Sequence, residues 1–469
     1  MRDLIVLSNR GPRSFRHGSD GALVEVAGGG GLVSALEPLL RAGAGGGAAT
    51  WASVTMGAAD REAVAAGRMV DEAITLLPVI VDDESYRQAY DVVANTTLWY
   101  LHHHLWDLPR RPRFDRSWYQ AWEGFRRYNA AAADVLCETA AESATVLVQD
   151  YHFSLLGRLV ARRRPDLRTA HFNHVPFADP NMVRVLPDFA SAELLEGLGG
   201  FGACGFHTPR WEAAFRACYD AFGLPAPPTY TSALAPDTAG LVEDAATPAC
   251  TAAADALRAE AGGRLLIVRS DRVEPSKNAV RGMLAYEELL HSHPEWRSKV
   301  VHVVLAYPSR QGLAEYLSLG SEVRHVAERI NASLGTADWS PILLDIRDDR
   351  ARSVAALTIA DVLLVNPVRD GLNLVAMEGP VVNSADGVLV VSSEAGVWEL
   401  FEQAGAAADG PLRVNPFDIV ETAEALHRAL SMPGDERSRR AARVRDVVGS
   451  RTALAWLDEQ LAAARPPGP

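Results

Sequence analysis

The sequence predicts an α/β protein built from two doubly wound parallel sheets. Three observations predict it: short continuous apolar runs, the abrupt polar or charged end of each run, and helical stretches between them. Runs rich in β-branched residues with no polar face mark parallel strands covered on both sides. Their alternation with helices is the pattern of doubly wound sheets.

In chain order the predicted strands begin with Leu4–Leu7, which ends at Ser8-Asn9-Arg10. Val146–Val148 ends at Gln149-Asp150-Tyr151-His152, and Thr169–Phe172 ends at Asn173-His174-Val175-Pro176. Leu265–Val268 leads to Arg269-Ser270-Asp271-Arg272, and Val300–Ala306 to Tyr307-Pro308-Ser309-Arg310. Val362–Val365 leads to Asn366-Pro367-Val368-Arg369-Asp370, and Val388–Val391 to Ser392-Ser393-Glu394. Helices are expected over Gly31–Arg41, Asn278–Leu290, Gly312–Leu334 and Glu421–Leu430. Pro225–Ala253 is rich in Pro, Ala and Thr with weak periodicity, which places the domain boundary near it. The expected division is 1–236, 237–450, and a C-terminal helix and tail, 451–469, returning to the first domain. Gly43–Gly47 reads as flexible and Arg465-Pro466-Pro467-Gly468-Pro469 as a frayed tail.

Composition narrows the function. The 469 residues carry 46 Lys plus Arg against 59 Asp plus Glu, a net charge of −13. That disfavours nonspecific nucleic-acid or anionic-membrane binding. Cys137, Cys204, Cys218 and Cys250 form no CxxC pair, so neither a disulfide framework nor a zinc site is read. No apolar run approaches the roughly 20 residues of a membrane span. Leu4–Leu7 is too short for a signal peptide, so a cytoplasmic, reducing-compartment protein is expected.

Ligands of open parallel sheets bind beyond the carboxyl ends of the strands, where this chain places its Arg, Asp, His and Lys residues. Gly28-Gly29-Gly30-Gly31 opens into Leu32-Val33-Ser34, a helix start whose amides suit an anion. Its spacing is neither GxGxxG nor a P-loop, and a plain turn fits as well. Arg272 and Lys277, five apart after a strand, suit a diphosphate clamp or a solvated basic loop. In Asp370-Gly371-Leu372-Asn373-Leu374-Val375-Ala376-Met377-Glu378, Gly371 permits a tight turn before amides suited to sugar hydroxyls and phosphate. Glu378, two helical turns on from Asp370, reaches a ribose diol in this reading; an N-cap Asp with a solvated Glu fits the same residues. His174 faces a reacting sugar or is a structural histidine. His102-His103-His104 point in different directions, which disfavours a metal site.

These segments, in this order, resemble the retaining trehalose-6-phosphate synthase family of GT-B glycosyltransferases over nearly the whole chain. The resemblance is carried by Ser8-Asn9-Arg10, Gly30-Gly31-Leu32, Asn95-Thr96-Thr97-Leu98-Trp99, Asp150-Tyr151-His152 and His174-Val175-Pro176-Phe177. It continues through Gly205-Phe206-His207-Thr208, Arg272 with Lys277, Pro308-Ser309-Arg310, Asp370 to Glu378, and Asn415-Pro416-Phe417-Asp418. The resemblance implies two Rossmann-like domains facing across a cleft. It implies transfer of glucose, with retention, from a nucleotide-glucose to glucose-6-phosphate, without a metal or other cofactor. By the same resemblance Arg10 and Arg310 hold the acceptor's phosphate, with Tyr90 and Trp99 beside them and Asp150 on the acceptor sugar. Gly30 and Gly31 approach the donor, Arg272 and Lys277 meet the leaving diphosphate, and His174 and Asp370 hold the transferred glucose. Gly371, Leu372, Asn373 and Leu374 flank it, Glu378 takes the ribose, and Arg350 also touches the donor. No carboxylate stands out as a covalent nucleophile, so a glycosidase-type double displacement is not invoked.

The chain departs from the family pattern where Gln149 stands for a His and Glu274-Pro275-Ser276-Lys277-Asn278 for Asp-Tyr-Ser-Lys-Gly. Met377 replaces a Lys, Gly379-Pro380-Val381-Val382-Asn383 a Tyr-Val-Ala stretch, and Val54 a second Trp after Trp51. Several departures resemble the pseudo-glycosyltransferases that couple cyclitols through nitrogen. A non-catalytic sugar-phosphate sensor is disfavoured by the retained Arg272, Lys277, Asp370 and Glu378, and a glycogen-synthase-like polymerase by Arg10 and Arg310 on the acceptor side; neither sequence nor resemblance fixes a homo-oligomer. For the base, Asp345, Asp348 and Asp349 in Asp345-Ile346-Arg347-Asp348-Asp349-Arg350 suit the donor pair of guanine better than the carbonyls of uracil. GDP-glucose is therefore expected over UDP-glucose, unless these aspartates merely cap the next helix.

Overall fold

The computed structural model describes residues 2–28, 30–45, 49–310 and 312–464. Gly29 of the glycine run, Gly46 and Gly47 of the flexible tract, and the tail 465–469 lie outside the described residues. The chain divides into two compact units, Met1–Leu234 with Thr452–Pro469, and Ala235–Arg451.

The first unit is built on seven parallel strands and a hairpin. Its strands are β1 (Arg2–Ser8), β2 (Arg13–His17), β3 (Leu23–Ala27), β4 (Thr50–Val54) and β5 (Thr75–Val79). They continue with β6 (Ala140–Gln149), β7 (Arg168–Asn173), β8 (Ala203–Phe206) and β9 (Thr229–Thr231). The sheet order is β5-β4-β1-β6-β7-β8-β9, with β2 and β3 paired antiparallel outside it. Ile5, Val6 and Leu7 are fully buried between β4 and β6, which is why the short apolar run is a central strand. β4 and β5 escape the sequence pattern. β4 carries Trp51 with small and polar neighbours, and β5 contains Pro78, tolerated because β5 is the edge strand. Asp115 caps the long helix Arg116–Thr139, accepting from Trp118 N. That helix buries Trp118, Trp122, Phe125, Ala132 and Leu136, spaced three, four or seven apart as one face requires. The helix Ala453–Ala463 sets Trp456, fully buried, on Phe172 of β7 at 5.1 Å between ring centroids.

The second unit carries β10 (Leu265–Arg272), β11 (Val300–Tyr307), β12 (Ile342–Asp345), β13 (Val362–Val365), β14 (Val388–Ser392) and β15 (Leu412–Val414). Their order, β12-β11-β10-β13-β14-β15, is all parallel. Both main sheets thus reverse direction beside their first strand, the arrangement that opens a ligand crevice at the strands' carboxyl ends. The switch lies between β1 and β6 in one unit, and between β10 and β13 in the other. The Pro225–Ala253 stretch is more ordered than its weak periodicity suggests. It holds β9, the helix Thr238–Ala245 capped by Asp237, and the start of Pro248–Ala261 capped by Thr247. No helix among the described residues is long and apolar enough to cross a membrane.

Candidate active site

The chemistry-bearing residues gather at the two switch points. In the first unit, β1 delivers Arg10, whose Nη2 donates to Tyr90 Oη at 3.3 Å. Tyr90 stands on a π-helical stretch, Gln88–Leu98, where Thr96 and Thr97 hydroxyls bond carbonyls five residues back. Its ring stacks on His152 at 5.7 Å. Trp99 is buried, packed on His103 at 4.2 Å.

β6 is followed at once by Asp150, which has φ 74 and ψ 166, a conformation that L side chains rarely adopt. The turn aims its carboxylate at the next strand end, where Oδ1 accepts from His174 N at 3.2 Å. His174 Nε2 lies 2.9 Å from Gln149 Oε1, and Gln149 Nε2 donates to Gln460 Oε1 of the helix Ala453–Ala463 at 3.0 Å. Burial and the neighbouring His207 and His171 hold the His174 imidazole well below its ordinary pKa, so it is neutral at physiological pH. Gly30 has φ 113 and ends the turn into the helix Gly31–Arg41. A side chain at Gly28 would meet the Gly11 carbonyl at 2.2 Å, so this glycine is there for close backbone packing.

In the second unit, Arg272 closes β10 and Lys277 ends a short 3₁₀ turn, Pro275–Lys277. Lys277 Nζ reaches Asp370 Oδ2 at 2.6 Å, joining the ends of β10 and β13 across the switch point. Burial works against the Lys277 charge, but Asp370 and Asp271 outweigh it and raise its pKa. Asp271 is itself paired to Arg269 at 2.9 Å. Arg272 lies 3.2 Å from Glu274 Oε1 and Arg310 3.5 Å from the same oxygen. Burial pushes the Glu274 carboxyl up, but Arg272, Arg310, Lys277 and the Ser309 hydroxyl override it and hold it at about 2. Sequence reasoning missed Glu274 as the shared partner of Arg272 and Arg310. The signal was present in the alternation of charge along Arg272-Val273-Glu274 and Lys277.

The segment after Asp370 differs from its expected form. Asn373 has φ 81, which breaks the helical pattern, and the helix runs from Val375 to Val382. Glu378 therefore lies in the first turn, not two turns on. Its side chain is partly buried, and burial raises its pKa against the opposing charge of Arg350. Asp370 is tied to the sheet by Asp370 N to Glu394 O at 3.1 Å, and Asn373 Nδ2 donates to its Oδ2 at 3.1 Å. Gly371 and Leu372 are buried, with the Leu372 carbonyl accepting from Val397 N at 2.9 Å, and Leu374 precedes the helix.

The aspartates expected beside the base are largely committed elsewhere. Asp349 caps the helix Arg350–Ile359, accepting from Arg352 N at 2.9 Å. Asp345 pairs with Arg347 at 2.5 Å and Arg352 at 3.1 Å, leaving Asp348 exposed. Arg350 pairs with Asp244 at 3.0 Å.

His102, His103 and His104 take separate partners: Ala178 N, the Trp99 carbonyl, and Asp179 at 3.8 Å. A closer approach to a metal-ligand set is His293, Glu295 and His427. There Trp296 Nε1 donates to His427 Nδ1 at 3.0 Å, so the lone pair of that ring nitrogen is already engaged. That set does not suit a cation.

The model of glycosyltransferase family 20 matches residues 2–225 and 231–465. A Schizosaccharomyces pombe protein named alpha,alpha-trehalose-phosphate synthase (UDP-forming) is 30% identical over 97% of this chain and 89% of its own length. A Dictyostelium discoideum protein named alpha,alpha-trehalose-phosphate synthase (UDP-forming) A is 29% identical over 97% of this chain, which spans 61% of that relative. A solved structure described as trehalose-6-phosphate from E. coli bound with UDP-2-fluoro glucose is similar over 99% of both chains, with 27% identity and a TM-score of 0.84.

Proposed function

The chain belongs to glycosyltransferase family 20, and from that premise we propose that it makes α,α-trehalose-6-phosphate by moving glucose, with retention, from a nucleotide-glucose to glucose-6-phosphate. The observation that carries this reading is the cation group at the β10/β13 switch point, Arg272 and Lys277 with Lys277 held 2.6 Å from Asp370. A departing nucleotide diphosphate needs such preorganised positive charge, and none of it has to be recruited during the reaction. Arg10, bonded to Tyr90, takes the acceptor's phosphate, and Asp370 holds the transferred sugar. The acceptor attacks from the face the diphosphate leaves, and the leaving phosphate receives the acceptor's proton. The side-chain cations fill the place of a metal in this reaction, so a chelator leaves the rate unchanged.

The base we assign is uracil. The relatives' names support it, and Asp345 and Asp349 have the structural duties that the guanine reading required them not to have. The test is purified protein with glucose-6-phosphate and, separately, UDP-glucose and GDP-glucose, with the product identified by NMR. Trehalose-6-phosphate from UDP-glucose with the higher kcat/KM is expected. A preference for GDP-glucose would restore Asp348 as a base contact, and no product from either donor would overturn the reaction.

A further inference from the structure

Every cation assigned to substrate phosphate in the second unit already faces a carboxylate. Lys277 has Asp370 at 2.6 Å, while Arg272 and Arg310 share one oxygen of Glu274 at 3.2 and 3.5 Å. The exposures differ sharply within that trio: the Arg272 side chain is 45% exposed and the Glu274 side chain 2%. The guanidinium thus lies open on one side with a buried anion beneath it. Glu274 has a third contact, accepting from Ser309 Oγ at 2.9 Å, which adds to its hold on this position.

We infer that Glu274 is a positioning residue that acts in two ways. It spaces Arg272 and Arg310, and it competes with substrate phosphates for them so that the nucleotide product leaves. The inference rests on the proposed use of Arg272 as a diphosphate ligand. Two arginines about a single carboxylate oxygen are held at a set separation, which preorganises them without needing a ligand. The same negative charge opposes every phosphate that binds there. It therefore weakens the bound diphosphate in substrate and product alike, and keeps the site from retaining its product. A site with the arginines but no such anion would bind tightly and turn over slowly.

Glu274→Gln tests this, because the amide keeps the shape and an oxygen acceptor while removing the charge. Calorimetry with UDP, and with inorganic pyrophosphate as a probe free of the base, is expected to show binding on the order of tenfold tighter. In steady state the donor KM falls and kcat falls with it, as product release slows. A residue that merely held the fold would give weaker binding and a higher KM when replaced. UDP and pyrophosphate bound no tighter by the folded variant than by wild type would overturn the inference. Should Glu274→Gln not fold, Glu274→Asp retains the charge but draws it back by one methylene. It is expected to tighten pyrophosphate severalfold, and unchanged or weaker binding overturns the inference. Tighter pyrophosphate binding in a protein that makes no trehalose-6-phosphate would support the role of Glu274 and count only against the proposed reaction.

Discussion

Lys277 and Arg272 are the residues on which turnover should depend most. Replacing either with Ala removes a charge already in position, and kcat should fall roughly 10²–10³-fold. Near-normal turnover of both variants at saturating donor would remove them from the leaving-group site. Arg10→Ala should instead raise the KM for glucose-6-phosphate while barely changing the affinity for UDP, since Arg10 and Tyr90 belong to the other unit. Glu274 adds a pH dependence. Its folded pKa of about 2 lies below an unfolded value of about 4.3, so its stabilising effect is present above the unfolded value and lost as pH falls toward the folded one. Acid unfolding of Glu274→Gln should therefore be shallower over that window than that of wild type, measured by circular dichroism. Arg272, Lys277 and Asp370 were legible in the sequence because each lies in the polar segment that follows an apolar run. Gln149 was visible as a departure, but its partner Gln460 lies 311 residues away, and no local pattern connects the two.

At the level of elements, the strand cores were legible because burial on both faces imposes continuous apolar runs. Val362–Val365 has the bounds its sequence suggests, and Leu265–Val268 extends through polar residues to Arg272. Those polar extensions are set by pairing: β10 keeps its register with β11 from Leu265 to Arg272. The start of the helix Val375–Val382 was misread because residues 370–378 are compatible with a helix, and only the left-handed Asn373 stops it. The turn at the end of β6 yields a test of its own. Asp150 holds φ 74 and ψ 166, at a cost of about 1–3 kcal/mol. Both Asp150→Gly and Asp150→Ala lose the carboxylate, but only glycine is at ease in that conformation. The glycine variant should be the more stable of the two by about 1–2 kcal/mol in urea titrations, with activity low in both. Equal stabilities would mean that the backbone there carries no strain.

For the whole molecule, the feature with the widest reach is the helix Ala453–Ala463. It belongs to the first unit although the whole of the second precedes it in the chain. Trp456 covers Phe172 and lies 5.8 Å from the His174 ring, and Glu459 bonds Ser232. A chain stopped at Arg451 should expose that face of the first sheet, bind a hydrophobic dye, and lose turnover even though Arg272 and Lys277 are intact. Full activity of the truncated chain would show the helix to be dispensable. The order of events on the ribosome follows from the same placement. Residues 1–234 emerge early, but the last layer of their core waits until the entire second unit has been synthesised. The second unit, continuous in sequence, has no such delay. The nascent first unit must therefore spend the translation time of more than two hundred residues with Phe172 and the Gln149 amide uncovered. Chaperone demand, and the damage done by premature stop codons, should fall on this half of the protein.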